Sequence, residues 1–284
     1  MARPFFDSPW LESLHAAARQ APLMPRVPLW SGESVIGSVE PDFFLRHASL
    51  SVMLQGHEPL LRDERSAASG WRVMGDVTTS LNRIAVVLHE AGLAGAWRGE
   101  QLAVADLLGK PLGTVERAAV RPLGIVTRAV HLVGQSADGR FWVQQRALDK
   151  STDPGLWDTL MGGMVSAVDT VETALARETW EEAGLQLHEL QDVRYGGRVH
   201  TTRPSADGGA GYVDEYVDWY SATVPTGMVP DNQDGEVAQF RLMEAADLAV
   251  GMQRGDFTLE AALILCAALG FTAACQEALV KPQA

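Results

Sequence analysis

The sequence predicts an α/β protein, because strand-like and helical patterns alternate along its second half. Residues 126–133 and 141–145 have strand-like apolar patterns and flank Asp138-Gly139, a pair typical of a tight β-hairpin turn. Apolar residues then recur at helical spacing over residues 170–183, and Gly184 directly after them is a natural helix end. This alternation is the order of elements expected in a layered α/β domain.

The bulk properties indicate an ordinary globular protein. The 284 residues are enough for about two domains, and the net charge of −13 argues against nucleic acid polymers and anionic membranes as partners. Cys266 and Cys275 are too few for a disulfide framework, so a reducing cytoplasm is the expected location. The longest apolar run, 261–275, is shorter than the ~18 residues that span a bilayer and is expected to form a buried helix.

The first part of the chain is expected to be a small accessory α+β domain, residues 1–122, followed by a second domain, residues 123–284. Apolar side chains at helical spacing predict amphipathic helices at residues 5–20 and 77–94. The other elements expected here are two strands, a loop and a strand-helix unit, at residues 34–39, 49–54, 62–69 and 98–117. In the second domain, two later strands and two closing helices are expected at residues 193–201, 212–224, 243–250 and 258–269.

An acidic cluster near the end of the predicted helix 170–183 is the most informative feature of the sequence. Glu178, Glu181 and Glu182 are three and four residues apart, so all three project from one side of the last turns. Anions near a helix C-terminus are disfavoured by about 0.3–1 kcal/mol each, and like charges at this spacing add to that cost. A hard divalent cation resolves the conflict, because Mg²⁺ is held by carboxylate oxygens together with substrate phosphates. The alternative is a solvated acidic helix face.

The residues around this cluster resemble the Nudix box. That signature consists of Gly, five residues, Glu, seven residues, Arg-Glu, an apolar residue, any residue, Glu-Glu, any residue, Gly and an apolar residue. The matching positions are Gly163, Arg177, Glu178, Glu181, Glu182, Gly184 and Leu185. The sequence departs from the signature at Asp169, where the family has Glu, and at Thr179, where the family has an apolar residue.

The resemblance implies a fold, a reaction and a set of site residues. The fold is an α/β/α sandwich with a mixed sheet, and the reaction is hydrolysis of a diphosphate linked to an organic moiety, with Mg²⁺ or Mn²⁺ as cofactor. The implied metal ligands are the Gly163 backbone and the carboxylates of Glu178, Glu181 and Glu182. Glu178 is expected to act as ligand or base, and Arg177 is expected to orient it.

A second likeness extends over most of the chain and is less specific. The sequence resembles Nudix proteins related to the domain fused to thiamine pyrophosphokinase in some fungi, which carry an accessory N-terminal domain of about this length. The segments concerned are Trp97-Arg98-x-Glu100, Glu116-Arg117-Ala118-Ala119, Gly124-Ile125 and Val130-His131. This likeness implies a thiamine diphosphate derivative, including damaged forms, or an oxidised nucleoside diphosphate as the substrate.

Three charged residues outside the box are further candidates. Arg146 and Lys150 precede the Gly-Gly turn and are predicted substrate phosphate contacts, since Arg offers a bidentate fork and Lys a point charge. Glu236, in an Asp-Gly-Glu-Val element, is a candidate for a further metal ligand or a water-orienting base. The alternatives are solubilising loop cations and an ordinary acidic loop.

Two rival functions remain open from the sequence. The lead-in to the box also resembles isopentenyl-diphosphate isomerases. That resemblance implies a functional Cys near the start of the Nudix domain. Here both cysteines, Cys266 and Cys275, lie near the C-terminus. A non-catalytic ligand-sensing module is the other rival, although it predicts lost carboxylates. The partner expected on either enzymatic reading is a small-molecule diphosphate, and a homodimer is compatible with the sequence.

Overall fold

The computed structural model describes residues 6–55, 60–64, 70–206 and 211–271. They form an N-terminal unit, defined here as residues 27–125, and an α/β/α sandwich built from the remaining described residues. Within the described part of the chain, no helix combines the length and apolarity needed to cross a membrane.

The N-terminal unit is a small α+β fold that follows a first helix, α1 (Ser8–Ala18). Its helices and strands are β1 (Val27–Ser31), β2 (Ser34–Val39), α2 (Phe43–Arg46), α3 (Ala48–Ser51), β3 (Leu61–Glu64), β4 (Gly70–Val73), α4 (Val77–Glu90), β5 (Gln101–Ala105) and β6 (Pro111–Glu116). Four strands form a sheet in the order β2-β1-β4-β3, in which β1 and β4 are parallel. Helix α4 packs against β6 of the separate β5–β6 pair, and their core includes Leu81, Ile84 and Val115.

The sandwich is built on a mixed sheet. Its elements are β7 (Thr127–Ser136), β8 (Phe141–Arg146), β9 (Trp157–Asp158), β10 (Met161–Met164), α5 (Val171–Ala183), β11 (Gln191–Pro204), β12 (Tyr212–Val224), β13 (Val237–Met243), α6 (Ala245–Arg254) and α7 (Leu259–Ala268). Seven strands form the sheet, with the path β11-β12-β7-β8-β13, β10 beside β7 and β9 beside β8. The β7–β12 pair is parallel and the other pairs are antiparallel.

Strand β7 shows why helices cover both faces of this sheet. Side chains alternate between the two faces of a strand, so its apolar run supplies two cores. Val130 and Leu132 pack with helix α5, whereas Ala129 and Val133 pack with helix α7. The α/β/α sandwich with a mixed sheet is therefore confirmed.

Helix α1 packs against the sandwich although it precedes the N-terminal unit in the chain. Phe6, Leu14 and Ala18 are buried in the same core as α7, and the Phe6 ring meets the Phe271 ring edge-on at 4.6 Å between centroids. The division of the chain between residues 122 and 123 stays a prediction. The predicted helix at residues 5–20 is confirmed as α1.

The loop that precedes helix α5 ties the two units together. Met164, at the end of β10, is buried in the core of the N-terminal unit. Three residues later, the Ala167 backbone N–H donates a hydrogen bond to the Gln101 carbonyl, with N and O 2.7 Å apart. The start of β5 is therefore fixed relative to the Nudix-like motif.

Three predictions of secondary structure are wrong in the N-terminal unit. Residues 49–54 form α3 and a 3₁₀ turn rather than a strand, because the His47 carbonyl accepts local hydrogen bonds from Leu50 and Ser51. The charged segment 62–64 belongs to β3 rather than a loop, and it lies at a sheet edge, where charged side chains are tolerated.

The helix expected at the end of segment 98–117 is the third error. The segment forms the β5–β6 pair, whose strands bury Leu102 and Val115 against α4, and only a 3₁₀ turn, Arg117–Ala119, follows. The remaining expected strands and helices of the sandwich are confirmed within a few residues at their ends. Part of the expected C-terminal helix, including Cys275, lies outside the described residues.

Candidate active site

Helix α5 carries the acidic cluster, and its own sequence fixes both of its ends. The Thr170 side chain accepts a hydrogen bond from the Thr173 backbone N–H at 3.2 Å, which caps the first turn. Gly184 ends the helix at φ 63°, a left-handed conformation that favours glycine. The apolar side of the helix packs against the sheet through Val171, Ala174 and Leu175.

Two carboxylates of α5 lie against Gly162 and Gly163, which belong to strand β10 and pair with β7, so the Gly-Gly turn expected from the sequence is wrong. A β-carbon at Gly163 would overlap the Glu178 carboxylate, so only glycine leaves room for it. The Glu182 carboxylate is buried, and its Oε2 accepts hydrogen bonds from the Gly162 N–H at 2.9 Å and from Gln144 Nε2 at 2.8 Å. The two glycines of β10 and the last turns of α5 therefore form one compact acidic site.

Burial changes the protonation of both carboxylates. It raises the pKa of Glu178 to about 7, against the opposing effect of Arg177, and the charges of Glu181 and Glu100 raise it further. Burial also raises the pKa of Glu182 to about 8, with an added contribution from Glu178. Two adjacent desolvated carboxylates are unfavourable when ionised, and a hard cation between them would offset that cost.

Arg177 binds several carboxylates around the site. Its Nη1 lies 2.9 Å from Glu178 Oε1 and 2.9 Å from Glu181 Oε2. Its Nε and Nη2 donate to Asp169 Oδ2 at 3.0 and 2.9 Å. Partial burial acts to raise the pKa of Asp169. The hydrogen bonds donated by Arg177, Ser166 and Thr173 outweigh it and hold that pKa below its ordinary value. The shorter Asp at the family's Glu position therefore anchors Arg177, which in turn holds Glu178.

The three box glutamates do not converge on one point. Glu178 and Glu182 line a shared cleft, whereas Glu181 is 42% exposed and pairs with Arg177. Among the described residues, no three acidic, histidine or cysteine side chains are close enough to hold a metal ion together. The donors facing the cleft at Glu178, Glu182 and Gly163 are all oxygens, which suits Mg²⁺ or Mn²⁺. The assignment of metal ligands stays a prediction.

Thr179 replaces the apolar residue of the motif without leaving a polar group unsatisfied. It is fully buried, and its hydroxyl donates to the Leu175 carbonyl at 2.6 Å within the same helix. This bond satisfies the hydroxyl in the core, as expected for a Thr inside a helix. The substitution therefore adds no unpaired polar group beside Glu178 and Glu182.

The cleft has a volume of about 180 Å³ and runs between the acidic site and a set of cations. We define the basic rim as the cationic side chains that line it near Glu236, namely Arg98, Arg117, Arg146 and Lys150. The floor contains Ala129, His131 and Met164. The two units of the protein both line this cleft, because Arg98 and Arg117 belong to the N-terminal unit.

The predicted phosphate contacts lie in the rim and have internal partners. Arg146 donates to the Thr152 carbonyl at 3.2 and 3.0 Å, and Lys150 forms an ion pair with Glu236. Burial acts to raise the pKa of Glu236. Lys150 and then Arg98 outweigh it and hold that pKa below its ordinary value. The pairing brings two predicted site residues together, while their roles in catalysis and phosphate binding stay predictions.

The end of the cleft away from α5 is lined by two ion pairs. Arg121 Nη2 lies 3.1 Å from Glu215 Oε2, and Arg203 Nη2 lies 3.1 Å from Glu260 Oε1. Arg203 Nε is buried and has no hydrogen-bond partner among the described residues. This end of the cleft is therefore strongly polar and retains an unused donor.

Sequence reasoning missed several residues that line or support the cleft. Gln144 is a buried position of a central strand, which the apolar pattern alone does not mark as a site residue. His131 belongs to the second family likeness and is also buried, but nothing in the sequence placed it at the cleft. The His131 ring fills the space above Gly162, where an added β-carbon would lie 2.6 Å from its Cε1 atom. Arg98 and Arg117 were part of the second family likeness, but nothing in the sequence placed them at the cleft.

The chain is similar to several known proteins. A model of the NUDIX domain matches residues 126–264. The protein named Nudix hydrolase 20, chloroplastic, from Arabidopsis thaliana is 29% identical over 194 residues, which are 64% of this chain and 49% of that protein. An isopentenyl-diphosphate Delta-isomerase from Streptomyces avermitilis is 31% identical over 149 residues, which are 52% of this chain and 73% of that protein. The solved structure of DR0079 from Deinococcus radiodurans has a TM-score of 0.42 and 21% identity, covering 53% of this chain and 88% of that chain.

The fold and the site define a protein of the NUDIX-domain class. The chain belongs to the Nudix family. Relatives in this family are named both as hydrolases and as isomerases. The chain spans about half the length of the two Arabidopsis relatives, 49% of one and 50% of the other.

Proposed function

We propose that this chain is a divalent-cation-dependent hydrolase that cleaves a diphosphate linked to an organic moiety. The observation that carries the proposal is the cleft, which is lined by the buried carboxylate of Glu182, by the Glu178 carboxylate, 12% exposed, and by the cations of the basic rim. A diphosphate is a polyanion, so it needs both bound cations and basic side chains near it. The NUDIX match over residues 126–264 supports the same reaction class.

The side chains of the site have distinct tasks in this proposal. When bound, Mg²⁺ or Mn²⁺ would spread the charge that develops on the phosphate and activate a water molecule. Glu178 accepts the proton of the attacking water at its carboxylate, while the water oxygen bonds to phosphorus, the bridging P–O bond breaks and the bridging oxygen leaves with the departing group. Arg177 keeps the Glu178 carboxylate in position through the 2.9 Å contact. Glu182 and the Gly163 backbone are the other proposed cation ligands, with Glu181 joining them if it leaves Arg177.

The finer substrate proposal is a thiamine diphosphate derivative or an oxidised nucleoside diphosphate. Both have an organic part that carries hydrogen-bonding groups. The cleft suits such a group, because the end away from α5 is lined by the Arg121–Glu215 and Arg203–Glu260 ion pairs. The likeness to the domain fused to fungal thiamine pyrophosphokinase supports the first of the two.

Isomerisation of isopentenyl diphosphate is the second candidate function. It is supported by the Streptomyces avermitilis isomerase, of which this chain covers 73%. The physical objection is the polar end of the cleft, where an apolar prenyl chain would desolvate ion pairs without replacing their hydrogen bonds. A ligand-sensing module remains a third reading, and it predicts binding without turnover.

A substrate screen tests the proposal directly. Purified protein is incubated with thiamine diphosphates, nucleotide sugars, dinucleotides and damaged nucleotides, with and without Mg²⁺, and the released phosphate or phosphomonoester is measured. Metal-dependent release from one compound class is the expected result. Isopentenyl diphosphate converted to its isomer, with no hydrolysis of any compound, would instead establish the second candidate.

Replacing both cysteines by alanine is expected to leave hydrolysis nearly unchanged. Cys266 is buried in helix α7 within the core shared with α1, and it does not line the cleft. Cys275 lies outside the described residues. Hydrolysis rates of the double variant and the wild type would be compared after matching their folded fractions by circular dichroism. A folded but inactive double variant would support the isomerase reading.

Gly163→Ala is expected to lower metal-dependent hydrolysis by roughly tenfold, which corresponds to about 1.4 kcal/mol of lost transition-state stabilisation. The added β-carbon would displace the Glu178 carboxylate from its place beside strand β10. Gly95→Ala is the matched control, because a β-carbon there would meet its nearest neighbour at an ordinary 3.6 Å. Equal rates for the two variants would remove the steric role given to Gly163.

The remaining partner and location predictions stand as proposals. They are a small-molecule diphosphate as ligand, no nucleic acid polymer or membrane partner, a homodimer as one arrangement, and a cytoplasmic location. The net charge of −13 supports the exclusion of polyanionic surfaces. Gel filtration with light scattering would test the dimer.

A further inference from the structure

The N-terminal unit brings an arginine pair to the cleft from outside the NUDIX match. Arg98 lies on the loop between α4 and β5, and Arg117 directly follows β6. Both side chains line the cleft together with Glu178 and Glu182 of the sandwich. The site is therefore formed by both units.

The backbone around this pair is firmly held. The Arg98 N–H donates to the Glu116 carboxylate at 3.0 Å, and Glu116 itself is 1% exposed. The Arg117 N–H donates to the Glu100 carbonyl at 2.8 Å. The hydrogen bond between Ala167 and the Gln101 carbonyl then joins this segment to the loop before α5. The backbone at both arginines is thus fixed in position relative to the acidic site.

The two guanidinium groups differ in what they already bind. Arg117 Nη1 donates to Glu100 Oε2 at 2.7 Å, which orients its guanidinium and leaves other N–H groups available. The Arg98 guanidinium makes no hydrogen bond or ion pair with any residue in the described ranges of the chain. Arg146 and Lys150, the other members of the basic rim, are engaged by Thr152 and Glu236. Arg98 is therefore the rim cation with its full donor capacity available for a ligand.

We propose that Arg98 and Arg117 bind a phosphate group of the substrate in the cleft that Glu178 and Glu182 also line. The N-terminal unit is then part of the substrate-binding site rather than a separate accessory domain. This inference rests on the proposed diphosphate chemistry. Its physical basis is that a guanidinium matches two phosphate oxygens with parallel N–H groups.

Binding of inorganic pyrophosphate to the full-length protein tests the inference without requiring turnover. Calorimetry in EDTA separates the contribution of the arginines from that of any divalent cation. Arg98→Gln is expected to weaken pyrophosphate binding roughly tenfold or more, the scale of losing a hydrogen bond between charged groups. Arg98→Lys is expected to bind with intermediate affinity, because it keeps the charge and loses the fork.

Arg83→Gln provides the matched control. Arg83 is an exposed arginine of α4 in the same unit, and it does not line the cleft. This variant is expected to bind pyrophosphate like the wild type, and unfolding temperatures of all variants would confirm that they are folded. Arg117→Gln is expected to weaken binding as well.

The outcomes separate this inference from the proposed function. Equal pyrophosphate affinity for wild type, Arg98→Gln and Arg117→Gln overturns the arginine site, as does a wild type that binds no pyrophosphate in EDTA. Metal-dependent hydrolysis would still stand in either case. Conversely, arginine-dependent pyrophosphate binding in a protein that hydrolyses no compound supports the site and removes the hydrolase proposal.

Discussion

Glu178→Gln is expected to reduce metal-dependent phosphate release by at least ~10²-fold, the usual scale for losing a positioned acid–base group. The substitution keeps the shape of the side chain and removes its negative charge. Glu178 lies against Gly163 and 2.9 Å from Arg177 Nη1, so a neutral amide would neither take a proton nor hold a cation as well. The measurement is the initial rate of phosphate release at saturating Mg²⁺.

Glu172→Gln is the control for this loss. Glu172 lies in the first turn of the same helix and is exposed to solvent, so its removal changes the charge of α5 without touching the cleft. The control is expected to retain nearly the full rate. Near-normal turnover in Glu178→Gln would exclude Glu178 from the reaction, whatever the other variants do.

Glu182→Gln is expected to stabilise the metal-free protein at pH 8 and to abolish stabilisation by Mg²⁺. Burial raises the pKa of Glu182 to about 8 in the folded protein, from an ordinary value of 4.5. Between these two values the folded state holds a proton that the unfolded state has released. Stability therefore falls as pH rises through this window, at most by about 1.4 kcal/mol per pH unit for this group.

The glutamine variant lacks that pH-dependent cost. Its amide oxygen can accept both hydrogen bonds that Glu182 Oε2 now accepts, from Gly162 and Gln144, so the fold is expected to tolerate it. Thermal unfolding in EDTA at pH 5 and pH 8 would measure the effect. The variant and wild type are expected to differ more at pH 8 than at pH 5.

Addition of Mg²⁺ is expected to make the wild type more stable than Glu182→Gln. A cation needs the deprotonated carboxylate, so it is expected to stabilise the wild type increasingly as pH rises and to leave the variant unchanged. A variant that is less stable than wild type at pH 8 in EDTA would show that the buried charge is not the dominant cost. A variant still stabilised by Mg²⁺ would remove Glu182 from the cation site.

Local patterns were sufficient for most elements of the sandwich. Helix α5 could be predicted with its ends, since Thr170 and Gly184 act within the neighbouring turn. Strand β12 has the bounds expected from its apolar pattern at residues 212–224. Most errors fell in the N-terminal unit, where α3 and β3 are four residues each and too short for periodicity to distinguish strand, helix and loop.

The candidate site was only partly predictable. The spacing of Glu178, Glu181 and Glu182 placed them on one helical side, and that much is visible in the sequence. The i+4 spacing of Arg177 and Glu181 also indicated their ion pair, but it did not reveal that Glu182 is buried while Glu181 stays 42% exposed. The ion pair between Lys150 and Glu236 was equally hidden, because these residues are 86 positions apart in the chain.

The sequence by itself determined the acidic helix, its caps and the family to which the chain belongs, because those depend on residues close together along the chain. Only the tertiary structure decided which carboxylates face the cleft and that Arg98 of the N-terminal unit lies with them. The physical reason is that burial and ion pairing depend on how strands and loops distant in sequence pack around α5. Gly162 and Gly163 of strand β10 set those contacts on one side, and the hydrogen bond between Ala167 and Gln101 sets them on the other.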